Sequence, residues 1–184
     1  MKRGQHRITR ALAIEPHNRG FGYAVLELAD DILIDWGGRQ ANADVIKRSI
    51  PKVAGLIHRF APSIVIVEDT RHPRCRRSGN GRALIESIAD LARTMDVAVG
   101  RVSRLSVRKH YAALGAGNKD AVAKFLVKRF PELRRVLPPP RKLWMARDER
   151  MTIFDSIAFA TIFECKRSAK ASKATHRNGS AGIR

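Results

Sequence analysis

Glu15, Glu68 and Asp155 are the residues of this chain that invite a chemical reading, because each acid sits in apolar sequence. Glu15 ends the run Ala11–Ile14, Glu68 ends the run Ile64–Val67, and Asp155 lies within "MTIFDSIAFATIFE". A carboxylate in apolar surroundings is costly unless it is paired or held on a metal. If the two runs are neighbouring strands of one sheet, Glu15 and Glu68 project from the same end, and a helix packed across that end adds Asp155. Three carboxylates at one place repel, and one takes up a proton unless a cation sits between them. Hard oxygen donors of this kind suit Mg²⁺ or Mn²⁺. In a basic chain, such a cluster points to metal-assisted cleavage of a phosphodiester, with Lys and Arg holding the backbone.

The charge supports a polyanionic partner. Thirty-six Lys and Arg stand against 17 Asp and Glu in 184 residues, a formal excess of +19, which favours nucleic acid. Five arginines (Arg71, Arg74, Arg76, Arg77 and Arg82) fall within twelve residues just after Glu68, together with His72. Their forked guanidinium groups match phosphate oxygens, so this loop is a candidate DNA-tracking element. Only 6% of the residues are aromatic, and most of those rings lie in apolar segments, which favours tracking of a duplex backbone over stacking on RNA bases. No apolar run is long enough to span a bilayer, and the four-residue apolar stretch near the start is too short for a signal peptide. The two cysteines, Cys75 and Cys165, lack C-x-x-C spacing and read as reduced thiols of a cytoplasmic protein.

The elements that must position the acids follow from hydrophobic periodicity. Ile8–Glu15, Phe21–Leu28 and "ILIDWGG" read as three short strands separated by "NRGFG" and the Asp30–Asp31 turn, an antiparallel meander. Val45, Ile46, Val53, Leu56, Ile57 and Phe60 recur at helical steps, with Pro51 expected to start or kink that helix. "PSIVIVED" is a strand covered on both faces. "ALIESIADLARTM" is a helix and "VAVGRVS" a short strand; a helix or turn, a glycine-rich loop and a second helix opening near Lys119 follow. The final helix carries Ile153, Ile157 and Ala160. The segment after Cys165 holds six Lys or Arg and one large apolar residue, Ile183, and is expected to be disordered and phosphate-seeking.

These segments resemble the motifs of a known family. "AIEPHNRGFGYAVLE" is similar to the first-strand motif of the RuvC Holliday-junction resolvases, I-D-P-G-x-x-x-x-G-Y-x-V. "PSIVIVED" resembles their fourth strand, which ends in a catalytic glutamate; "NKDAVAKFLV" resembles the segment with their lysine before a helix; "FDSIAFA" resembles their closing D-A-x-A-x-A helix. The resemblance runs from about residue 10 to 164, in the family's order. It implies an α/β, ribonuclease-H-like fold: a mixed five-stranded sheet, with a three-strand antiparallel meander plus parallel strands, flanked by helices. Around the nuclease domain (9–165) the composition leaves a basic N-terminal arm (1–8) and a basic disordered tail (166–184). The resemblance also implies a homodimer that cuts branched DNA with Mg²⁺ or Mn²⁺. Carried over by position, Glu15, Glu68 and Asp155 are the metal ligands, Lys119 is the catalytic lysine near the scissile phosphate, and Lys109 matches a second basic position.

This sequence departs from the pattern at four places. Glu15 stands where the family has aspartate, His17 where it has glycine, and Thr152 where it has a further acid, with Asp148 and Glu149 the nearest substitutes. The segment after Glu68, "TRHPRCRR", offers no aromatic ring. The expected activity is therefore a structure-selective DNA endonuclease. The alternatives are a non-catalytic or weakly active nucleic-acid-binding protein on the same fold, or a related RNA nuclease or recombinase.

Overall fold

The computed structural model describes residues 10–140, 144, 146 and 148–179, with side chains to residue 169. Strands β1 (Arg10–His17), β2 (Gly20–Glu27) and β3 (Ile32–Gln40) form the expected meander. Helix α1 (Val45–Phe60) leads to β4 (Ile64–Glu68), and α2 (Gly79–Thr94) to β5 (Ala98–Val102). Helices α3 (Arg104–Ala113) and α4 (Lys119–Arg129), a 3₁₀ turn (Pro131–Val136) and the long α5 (Met151–Gly179) complete the chain. The sheet order is β3-β2-β1-β4-β5. Strands β1, β2 and β3 pair antiparallel, whereas β4 runs parallel to β1 and to β5. This is the mixed five-stranded sheet flanked by helices that the sequence implies.

The sheet has a helical layer on each face. On one face Ala11, Ala13, Ala24, Ile64 and Ile66 pack with Phe154, Ile157 and Ala158 of α5. On the other, Leu12, Ile14, Val25, Val65 and Val67 pack with Val53, Ile57, Ile85 and Ile88 of α1 and α2. Successive strand side chains alternate between faces, so the central strands are apolar on both sides along Ala11–Ile14 and Ile64–Val67, as doubly covered segments must be. The small side chains Ala11, Ala13 and Ala24 all lie on the α5 side, where they let a helix approach the sheet closely.

The same alternation decides where the acids go. Counting on from Ala11 and Ala13 puts Glu15 on the α5 face, and counting on from Ile64 and Ile66 puts Glu68 there too. Asp69 falls on the opposite side, where its Oδ1 accepts from the Arg71 backbone N–H at 3.2 Å. Gly22 lies directly across the ladder from Glu15. The first turn of α5 packs onto it, and Ser156 Oγ donates to the Gly22 carbonyl at 3.1 Å.

Three details differ from the sequence reading. The turn itself is Asn18–Arg19; of the two glycines in "NRGFG", Gly20 opens β2 with a φ of 148°, and Gly22 lies inside that strand. Pro51 lies inside α1. Helix α5 continues through Gly179, so 166–179 is helical backbone where a disordered tail was expected; 180–184 and the N-terminal arm 1–8 lie outside the described residues. Among the described residues no helix is long and apolar enough to cross a membrane.

A methyl group at Gly22 would stand 2.6 Å from the Thr152 carbonyl carbon and 2.8 Å from the Ile153 nitrogen, both backbone atoms. Gly22→Ala should therefore lower stability by about 1–3 kcal/mol through overpacking. Gly38→Ala, where a methyl group meets nothing within 4 Å, should stay within about 0.5 kcal/mol of the parent. Urea denaturation of both variants checks the contrast.

Candidate nucleic-acid and acid-cluster site

Glu15 and Glu68 are each 1% exposed, and the structure brings them together through two arginines. Arg77 donates from Nε to Glu68 Oε2 at 2.7 Å, from Nη2 to Glu15 Oε1, and from Nη1 to the Pro16 carbonyl at 2.7 Å. Arg104 donates from Nε to Glu68 Oε2 at 2.9 Å and from Nη2 to Glu15 Oε1. One oxygen of each glutamate thus accepts from both guanidinium groups. Asp155 joins from α5, its Oδ2 lying 3.6 Å from Arg104 Nη1 and accepting from Lys119 Nζ. The four expected site residues Glu15, Glu68, Asp155 and Lys119 therefore converge, with two arginines among them.

The local sequence explains how the cations arrive. Ser78 caps α2, its Oγ accepting from Gly81 N–H at 3.3 Å. Ser103 caps α3 through Ser106 N–H at 3.2 Å, and Asn118 caps α4 through Ala121 N–H at 2.9 Å. Arg77 immediately precedes the first cap, and Arg104 and Lys119 immediately follow the other two. A cation beside a helix N-terminus is unfavourable by itself; here each is offset by a carboxylate. Burial pushes the Glu15 carboxyl up from its ordinary value, with Arg104 and Arg77 pulling against it. Burial alone would lower Arg104, but Glu15, Asp155 and Glu68 hold its guanidinium above the ordinary arginine value. Burial lowers the Lys119 amine, with Asp155 opposing.

The cluster opens onto a cavity of about 650 Å³ whose wall includes Arg74, Arg76, Arg104, Arg108, Lys119 and Asp155. The arginine-rich loop divides into two roles. Arg74 and Arg76 are exposed on the cavity wall, and Arg71 is exposed beside Asp69. Arg77 faces inward onto the acids. Arg82 folds back onto the carbonyls of Thr70 and Cys75, at 3.2 and 2.8 Å, and shapes the loop. Lys109 is exposed on α3 and is not on the cavity wall; its neighbour Arg108 is, because the turn of the helix presents that position inward.

The departures also resolve structurally. Thr152 is buried against Gly22 and donates to the Glu149 carbonyl at 2.6 Å. Neither nearby acid substitutes for it. Asp148 pairs with Arg150 at 2.7 Å, and Glu149 binds Arg19 at 2.6 Å and Gln40. His17 lies 3.7 Å from Glu149 Oε1, and burial lowers its imidazole, so it belongs to that neighbouring cluster. The sequence reading missed Arg104. The available signal was its place: it follows a strand parallel to the one ending in Glu68, at the same edge of the sheet.

In donor chemistry the cluster suits a hard divalent ion, and Glu15 Oε2 is buried with no hydrogen-bond partner. The guanidinium groups hold the space between the carboxylates. Among the described residues no three His, Cys, Asp or Glu side chains form a ready metal-holding group.

No protein-family model and no curated protein sequence matches the chain. Solved structures do. The RuvC structure from Thermus thermophilus aligns with a TM-score of 0.61 at 19% identity, covering 86% of this chain and 96% of that one. Thermus thermophilus RuvC in complex with a Holliday junction substrate gives 0.60 at 17%, covering 86% and 96%. The yeast mitochondrial Holliday junction resolvase gives 0.56 at 12%, covering 85% and 78%. The fold is thus ribonuclease-H-like. Within that class it is the architecture of the RuvC-type resolvases.

Breaking the buried tetrad from one side leaves an uncompensated charge, which costs about 3–5 kcal/mol. Arg77→Met should destabilise by that order in chemical denaturation. Adding Glu68→Gln to Arg77→Met should recover part of the loss, since the unpaired charge is then gone.

Proposed function

We propose that this chain is a structure-selective endonuclease of branched DNA. The observation that carries this reading is that Arg104 joins three carboxylates, from β1, β4 and α5, beside a cavity whose wall carries Asp155 and Arg104 with Arg74, Arg76, Arg108 and Lys119. The likeness in fold to a RuvC bound to a Holliday junction supports it. Arg74, Arg76 and Arg108 hold the phosphate backbone along the cavity. Lys119, whose amine lies against Asp155, stands where a phosphate entering from the cavity meets the acids. Glu15, Glu68 and Asp155 are the groups to hold Mg²⁺ or Mn²⁺, which when bound supplies an acidified water and neutralises charge on the leaving oxygen. A homodimer suits this reading: resolving a four-way junction takes two cuts, and the described residues of each chain supply one cluster of Glu15, Glu68 and Asp155.

A second reading, a non-catalytic binder on the same fold, is favoured by Thr152 and by the two guanidinium groups among the acids. Cleavage separates the two. With Mg²⁺ or Mn²⁺, the protein should nick a four-way junction in preference to a linear duplex of equal length, and Glu68→Gln should abolish nicking while junction binding persists. Retention of every substrate without any cut, with or without metal, would establish the binder. In either case Arg74→Ala, Arg76→Ala and Arg108→Ala should each weaken binding and lower the salt slope by about one unit, as read by fluorescence anisotropy across a salt series.

A further inference from the structure

The charges of the acid cluster already balance. Glu15, Glu68 and Asp155 carry three negative charges, and Arg77, Arg104 and Lys119 carry three positive ones. A divalent ion added to this arrangement leaves an excess of two positive charges in a largely buried place. Metal entry therefore requires a cation to leave or further anions to arrive.

The two arginines differ in their freedom to leave. Arg77 is 16% exposed in its side chain and is tied by a third bond to the Pro16 carbonyl. Arg104 is 35% exposed, stands on the cavity wall among Arg74, Arg76 and Arg108, lies over the Phe159 ring at 5.9 Å, and among the described residues donates to side-chain carboxylates but to no backbone carbonyl. Its fork suits a phosphate as well as it suits two glutamates.

We infer that Arg104 holds the cation position of the acid cluster in the DNA-free protein, and that it gives up the position to a divalent ion by turning to a backbone phosphate in the cavity. The inference rests on the nuclease reading and adds to it a residue that couples substrate binding to metal loading. After the exchange the excess falls from two positive charges to one, because three carboxylates and one phosphate then face Arg77, Lys119, Arg104 and a divalent ion, with Arg104 moved out onto the phosphate. Arg104 is in this sense a positioning residue, since it acts on the reaction through the acids and the backbone.

The test is Mn²⁺ binding to the full chain without DNA, followed by the electron paramagnetic resonance signal of free Mn²⁺. Arg104→Gln should bind Mn²⁺ at least about tenfold more tightly than the parent, within the usual range of site-to-site coupling. Arg104→Lys, which keeps the charge and loses the fork, should fall between them, and it carries the same test if Arg104→Gln does not fold. Adding Glu68→Gln to either variant should remove the gain. Equal and tight Mn²⁺ binding by parent and variants, lost with Glu68→Gln, overturns the inference and leaves the nuclease reading standing. No Mn²⁺ binding by the folded parent or variants, or binding indifferent to Glu68→Gln, overturns the metal-based reading and the inference together.

Discussion

The structure depends on how two buried glutamates are kept. Moving a carboxylate out of water costs several kcal/mol even after relaxation, and Glu15 and Glu68 are both at the edge of the core with almost no exposure. Their answer is a compact tetrad in which each guanidinium spans both acids. Fork geometry is what permits this: an ammonium is a point charge, whereas Arg77 and Arg104 each reach two carboxylates through separate N–H groups. Arg77 is nine residues from Glu68 but 62 from Glu15, and Arg104 is 36 and 89 residues from the two acids. The tetrad therefore ties β1 and β4 to the starts of α2 and α3, and it forms only when those elements have docked.

The rest of the fold serves that docking. The pleat sends Glu15 and Glu68 to the face covered by α5, and alanines on the same face let the helix come near enough for Asp155 to join. Gly22 extends the close approach to the start of α5. Three helices present their N-terminal turns, with Arg77, Arg104 and Lys119, toward one spot. The partial positive charge of those turns adds to the side-chain charge, so the cavity beside the acids is suited to phosphate while the acids themselves stay paired. A bidentate ion pair, Arg101 with Glu86 at 2.9 and 2.6 Å, fastens β5 to α2 nearby.

The site is narrower in acids than the family motif implies. The position one helical turn before Asp155 is spent on packing, because Thr152 fills the space over Gly22 and has no room to be an acid. Asp148 and Glu149 are committed to Arg150, Arg19 and Gln40 on the neighbouring side. An acid cluster with fewer carboxylates and more arginines holds less negative charge in reserve, and that is why an incoming cation has to compete for its place.

How much of this was legible in the sequence follows from the range of each interaction. Periodicity is local, so the order of strands and helices, the double burial of Ile64–Val67, the outward turn of Asp69 and the placing of three acids at strand ends and on the last helix were all readable. The length of α5 was not, because the composition after Cys165 argues only for solvation and polyanion affinity. Nor was the split of the basic loop, in which Arg77 turns inward, Arg82 folds back, and Arg74 and Arg76 face the cavity. Arg104 could not be singled out among so many basic residues, nor could the sequence tell that Arg108 lies on the cavity wall and Lys109 does not. Pairings across 62 and 89 residues are set by which elements share an edge of the sheet, and no local pattern records that. The sequence by itself determined which charges had to be buried; the tertiary structure alone decided which cations would answer them.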